Sequence, residues 1–155
     1  MYRIYSRAPY VHRIGTPAKS SLSWQYMHTN ATFSVAPMMD YTDVHQRRLF
    51  RMISRRAILY TEMITANALV HTSNPERFLR GGKDEGPQVL QLGGSDPALM
   101  AKATKIAMKS GFQHFNINCG CPSPKVAGSG QFGATLMKNA KLVKELRDAV
   151  SQQSG

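Results

Sequence analysis

Residues 89–122 read VLQLGGSDPALMAKATKIAMKSGFQHFNINCGCP, a run whose apolar period changes twice. Val89 to Leu92 is a short apolar strand. Asp96 then stands at an N-cap position with Pro97 at the first helical position. Leu99, Ala103, Ile106 and Ala107 share one helical face up to Gly111, which closes the helix. Beyond it Phe115 and Ile117 alternate with Asn116 and Asn118, a period of two that reads as another short strand, ended by Gly120 and Pro122. Strand, helix and strand in succession require parallel pairing with the helix laid over one face of the sheet. Cys121 is thereby held just past a strand end, the edge at which parallel α/β sheets bind their ligands.

The same alternation extends in both directions. Phe33 to Ala36 is a short apolar strand closed by Pro37, and residues from about 43 to 55 form a basic helix with Thr42 or Asp43 as N-cap and Leu49, Phe50 and Ile53 on its apolar side. Ala57 to Thr61 reads as a strand and Thr65 to Val70 as a short helix. Residues 72–86, with Pro75, Gly81, Gly82 and Gly86, read as a polar loop. Downstream, Leu142, Val143, Leu146, Ala149 and Val150 mark one face of a last helix behind Asn139. About four strand–helix repeats make an α/β fold of parallel strands with outer helices. A doubly wound sheet would place a glycine-rich phosphate turn after its first strand, whereas Pro37-Met38-Met39-Asp40-Tyr41-Thr42 has no glycine. A (β/α)8 TIM barrel takes about 250 residues, about twice the span of residues 33–155, and on the residues alone both architectures stay open.

Composition sets the outer bounds. The chain has 155 residues, 42% of them hydrophobic, enough for one domain with a core and too apolar for a disordered chain. Its net charge of +11 and pI near 10.1 suit a polyanionic partner. Residues 1–39 carry Arg3, Arg7, Arg13 and Lys19 and no acid. Residues 1–32 are therefore expected to be a disordered basic arm or a transit segment directing import into a mitochondrion or plastid; otherwise the chain is expected to be cytoplasmic. The only cysteines, Cys119 and Cys121, are too close for an ordinary disulfide and too few for a structural zinc site, so no metal is expected and a reducing compartment fits best. No apolar run approaches the roughly 18 residues of a membrane span.

Four segments together resemble the tRNA-dihydrouridine synthases, FMN-dependent barrel enzymes, and most closely their A-type branch. They are Ala36 to Asp43 (APMMDYTD), Leu59 to Met63 (LYTEM), Leu90 to Pro97 (LQLGGSDP), and Asn116 to Ser123 (NINCGCPS) with its sequel Phe132 to Met137 (FGATLM). Their shared order makes the resemblance specific, since any one alone is common. It covers residues 33 to about 150, leaves out the arm, and implies that residues 33–155 are the N-terminal half of a (β/α)8 TIM barrel.

The resemblance implies reduction of specific uridines in tRNA, with FMN as cofactor and NADPH as reductant. Hydride goes to C6 of the uracil and a proton to C5 from an acid on the other face. Cys121 matches the family's proton donor. An ordinary thiol titrates near about 8.5 and is mostly protonated at neutral pH, so a cysteine can serve as that acid. Cys119 matches no relied-on position and reads as a packed small residue. Asn118 matches an asparagine contacting the target base, with the alternative that its amide pins the strand-end turn. Pro37, Met38 and Met39 match the loop lining the flavin ring, where core packing is the rival reading of the methionines, and Gln91 matches a strand-end hydrogen bond to that ring. His45 and Arg47 read as solvated surface without a role. Ser123 to Phe132 is expected to be a mobile loop able to close over a bound base. Arg77, Arg80, Lys83, Lys125 and Lys138 are candidate phosphate contacts around a base extruded from the folded RNA.

The chain also departs from the family pattern. A flavin-contacting lysine on a fifth strand, a later histidine, the glycine-rich loops for the FMN phosphate and the tRNA-binding helical domain are not found in these residues. The expectation is of a truncated chain, inactive by itself, that needs the missing C-terminal barrel half and helical domain for full binding. Two other functions remain open on the residues: a non-catalytic basic RNA-binding or assembly module, and another FMN barrel oxidoreductase acting on free pyrimidines, such as a dihydroorotate dehydrogenase-like enzyme.

Overall fold

A computed structural model describes residues 33–81, 88–128 and 130–154. The basic arm, Lys83 and the stretch around it lie outside these residues. The elements alternate in chain order: β1 (Ser34–Val35), α1 (Val44–Ile53), β2 (Ile58–Thr65), α2 (Ala66–His71), β3 (Gln88–Gly93), α3 (Pro97–Lys109), β4 (His114–Ile117) and α4 (Ala140–Ser154). The strands form one four-stranded sheet in the order β1-β2-β3-β4, every pair parallel. This is the arrangement of half a (β/α)8 barrel.

Local chemistry starts each helix. Asp43 accepts the Gln46 N–H at 2.8 Å, Thr65 accepts that of Ala68 at 3.2 Å, Asp96 accepts those of Ala98 and Leu99 at 2.7 and 3.2 Å, and Asn139 accepts that of Leu142 at 3.0 Å. Gly111, at φ 96°, ends α3 in the left-handed conformation that glycine adopts freely.

Alternation sorts the strand residues onto two faces. Leu90, Leu92 and Ile117 point toward the helices and join Met100, Ala103 and Ala107 of α3 and Leu146 and Val150 of α4 in the main core. Ile58, Tyr60 and Val89 form a separate small cluster on the other face, the interior of the half barrel. Gln91 and Asn116, paired in register across β3 and β4, lie farther along that face.

Four expectations change. β2 runs on to Thr65, four residues past its expected end, after a register shift between Tyr60 and Met63. The loop of residues 72–86 is not wholly polar surface: it contains a 3₁₀ turn, Pro75–Arg77, and Leu79 is buried in the main core. The apolar side of α1 is largely uncovered among the described residues, with Leu49, Met52 and Ile53 at 52%, 78% and 72% exposure. Only Phe50 packs inward, against Val35, Ala57 and Leu59, because β1 is two residues long and offers little apolar surface.

The fourth concerns Arg47, which is 4% exposed and not solvated surface. Its Nε donates to Gln88 Oε1 at 3.1 Å, and its two terminal nitrogens donate to the carbonyls of Thr42 at 2.7 Å and Arg80 at 3.0 Å. Gln88 in turn donates to the Gly81 carbonyl at 2.6 Å. One planar guanidinium thus ties the start of α1, the start of β3 and the chain that leads into it. Arg47→Met is expected to leave these acceptors unsatisfied in a buried place and to destabilise the fold by about 2–4 kcal/mol. A urea midpoint lowered at unchanged slope would show this, and an unchanged midpoint would refute it.

Candidate functional site

Polar side chains converge at the carboxyl ends of β3 and β4. Gln91 and Asn116 are buried there, and Asn118 follows directly on β4, its main-chain N–H donating to the Leu92 carbonyl at 2.9 Å. Gln91 Nε2 donates to Asn116 Oδ1 at 2.7 Å, and Asn118 Nδ2 donates to Gln91 Oε1 at 2.9 Å. Asn118 Oδ1 accepts the main-chain N–H groups of Gly120 at 3.2 Å and Cys121 at 3.0 Å. The last pair is an Asx turn, the local chemistry that lets asparagine reverse a chain just past a strand. The arrangement realises the turn-pinning alternative for Asn118 and leaves the second hydrogen of Nδ2 for a further partner.

The Cys121 backbone is gripped from the other side as well. Its carbonyl accepts the Ala134 N–H at 2.9 Å. Gly133 beside it has φ 65°, and a Cβ there would stand 2.6 Å from the Cys121 carbonyl oxygen and 2.6 Å from Val126 Cγ1. Only glycine lets the two segments approach so closely. Both thiols are free and half-buried against the main core. Burial pushes the Cys119 thiol up from its ordinary pKa, in keeping with a packed small residue.

The segment after Cys121 is folded onto the core instead of forming a loose lid. Pro124–Gly128 makes one π-helical turn, Val126 and Phe132 are buried, and the Thr135 hydroxyl donates to the Ala127 carbonyl at 2.6 Å. Two apolar anchors outweigh the glycine content from which mobility was expected.

The rim at the end of β1 has its own lock. Thr42, fully buried, exchanges hydrogen bonds with Met38: its hydroxyl accepts the Met38 N–H at 3.0 Å and donates to the Met38 carbonyl at 3.0 Å. Asp40 adopts φ 63°, and its N–H donates to Glu62 Oε1 at 2.7 Å. Pro37, Met38 and Met39 therefore sit on a turn held to β2, with Met38 and Met39 exposed at 43% and 52%. At the register shift in β2, Thr61 Oγ1 accepts the Gln91 N–H at 3.1 Å and donates to the Glu62 carbonyl at 2.7 Å, supplying an acceptor where the strand ladder is interrupted.

Of the expected site residues, Gln91, Asn118 and Cys121 are joined directly by hydrogen bonds, while Pro37, Met38 and Met39 stand apart on the β1 rim. Arg77, Arg80, Lys125 and Lys138 are all exposed, and the Arg77 guanidinium lies 5.1 Å from the Phe78 ring centroid. His45 is exposed. Sequence reasoning missed Asn116, Thr61, Glu62 and Gly133. For Asn116 a signal existed: an asparagine at strand period with Asn118, on the face opposite the apolar Phe115 and Ile117. Among the described residues no three His, Cys, Asp or Glu side chains group as a metal site, and no helix is long and apolar enough to cross a membrane.

A family model described as dihydrouridine synthase matches residues 34–154. The tRNA-dihydrouridine(20/20a) synthase of Shigella flexneri is 45% identical over 139 residues, covering 87% of this chain and 39% of the relative. That of Escherichia coli K12 is also 45% identical over 139 residues, covering 87% of this chain and 38% of the relative. That of Pseudomonas putida KT2440 is 49% identical over 123 residues, covering 77% and 36%. The chain spans under two fifths of the length of these relatives.

Two outcomes are expected from the packing around the cysteines. Gly133→Ala forces a side chain into a left-handed position against backbone, which costs about 1–3 kcal/mol and lowers the denaturation midpoint accordingly. In a Cys121→Ser background, the remaining Cys119 thiol is expected to react with iodoacetamide more slowly at about pH 8 than a cysteine in a short peptide, since burial reduces its thiolate fraction. Equal rates would show that Cys119 is open to solvent.

Proposed function

This chain belongs to the dihydrouridine synthase family, and from that premise we propose that it carries the proton-donating side of a site that reduces uridine to dihydrouridine in tRNA. The observation that supports this best is the grip on Cys121: one main-chain group is held by Asn118, the other by Ala134, just past the carboxyl end of β4. A proton donor needs such fixed placement, because its contribution depends on reaching one carbon of the base at hydrogen-bond range.

The residues present fit an FMN ring between β1 and β3. Met38 and Met39 offer exposed, polarisable thioethers on a turn fixed by Thr42 and Glu62, suited to a flat aromatic surface. Gln91 brings a strand-end amide to the same edge, with its orientation already set by two neighbours. When bound and reduced by NADPH, the flavin would supply hydride to C6 of the uracil. Cys121 gives its thiol proton to C5 from the opposite face, leaving a thiolate that solvent reprotonates. The unused Nδ2 hydrogen of Asn118 donates to an acceptor on the base edge.

Such a base must leave its stack to enter the site. Arg77, Arg80, Lys125 and Lys138, all exposed, are the groups assigned to the flanking phosphates, in keeping with the +11 charge of the chain.

Cys121→Ala in the full-length protein is expected to lower dihydrouridine formation by about 10²- to 10⁴-fold while tRNA binding is retained. Mass spectrometry of the tRNA product and a filter-binding titration measure the two separately. Undiminished product would place the proton donor elsewhere. Binding without product in the unaltered protein would favour the non-catalytic RNA-binding module.

A further inference from the structure

The four groups at the ends of β3 and β4 form a string with one direction. An amide side chain has a donor end and an acceptor end, so each pairing dictates the orientation of the next. The starting point is irreversible. Gly120 and Cys121 present main-chain N–H groups, which cannot accept, so Asn118 must turn its carbonyl oxygen toward them. Its nitrogen then faces Gln91, which must answer with Oε1. The nitrogen of Gln91 is left facing Asn116 across the pairing of β3 with β4, and only an acceptor can complete the string there. Gln91 and Asn116 are both buried, which makes water a poor substitute.

We propose that Asn116 is a positioning residue: as terminal acceptor it sets the direction of the amide string and thereby holds Asn118 and the Cys121 turn in place. The chemistry required at position 116 is an acceptor oxygen, not an amide as such. Without it Gln91 gains by rotating its oxygen elsewhere or by turning end for end. Turned about, it would set its NH₂ against the NH₂ of Asn118, and the support for the Cys121 N–H would be lost. Asn116 acts through its neighbours and need touch neither base nor cofactor. Its meaning in turnover rests on the function proposed above, but its effect on the turn does not.

The test compares Asn116→Asp with Asn116→Leu in the full-length protein. Aspartate keeps an acceptor oxygen in either protonation state, whereas leucine is close in size and has none. Amide hydrogen exchange followed by mass spectrometry reads the protection of the segment 118–122. Slow exchange is expected in the unaltered protein and in Asn116→Asp, and exchange faster by about 10-fold in Asn116→Leu. Dihydrouridine formation should follow the same order, with kcat falling by about 10²-fold in the leucine variant, KM for tRNA little changed, and most of the loss rescued by aspartate. Should the leucine variant fail to fold, Asn116→Ala repeats the comparison. Equal exchange in all variants, or an aspartate variant as impaired as leucine, would overturn the inference. If the exchange pattern holds but the unaltered protein makes no dihydrouridine, the proposed function fails and the positioning role stands.

Discussion

The carbonyl oxygen of Asn118 has to receive the backbone N–H of Cys121, and much of the molecule is arranged around that bond. Just past a parallel strand the chain leaves the ladder, and its next N–H groups no longer have a neighbouring strand to accept them. An asparagine supplies one locally, but it remains oriented only if its own NH₂ is engaged. Gln91 engages it, and Gln91 needs support on both its main chain and its side chain, from Thr61 and Asn116. The interior face of the half barrel is thus polar where a pure packing argument would fill it with Val or Leu. It is apolar again a few residues earlier, at Ile58, Tyr60 and Val89. The change from an apolar floor to an amide-lined mouth along the same strands marks where the sheet stops serving only the core.

A second polar knot serves the outside of the sheet. Arg47 gathers carbonyls from three separate segments under α1, where the two-residue β1 leaves little hydrophobic surface to hold the helix. Charge-assisted donation to several acceptors does there what aliphatic packing does between α3 and α4. Thr42 links the two halves of this arrangement. Its carbonyl accepts from Arg47 while its hydroxyl closes the Met38 turn, so the helix anchor and the shape of the β1 rim share a residue.

Much of this was legible in the sequence, though unevenly. The α/β class, the parallel pairing and the span of α3 followed from period and capping, because Asp96-Pro97 and Gly111 are local signals that act without tertiary help. The first strand and the closing helix were visible for the same reason. The length of β2 was not, since its register shift is settled by contacts with β3. Arg47 was misread because nothing in the sequence tells an arginine on an amphipathic helix whether carbonyls wait beneath it. Leu79 was hidden among glycines and charges that describe the loop but not the one anchor within it. Gln91, Asn118 and Cys121 were picked out by resemblance, and the structure brings them into one connected string. Asn116 sits in the same quoted motif and was passed over, because period assigns it a face but cannot say what meets it there.

The strand order has a consequence for how the molecule comes into being. Each strand pairs with the one made just before it, while α1 takes its anchors from β2 and β3, which follow it in the chain. Partners across the sheet stand 24 to 29 positions apart, so each pairing closes over one strand–helix unit and none spans two. A sheet of this kind can grow by accretion from the amino-terminal side as the chain is synthesised, with β4 docking onto an existing β3. The cysteine turn is then among the later parts to take shape, on a platform that is already folded beneath it.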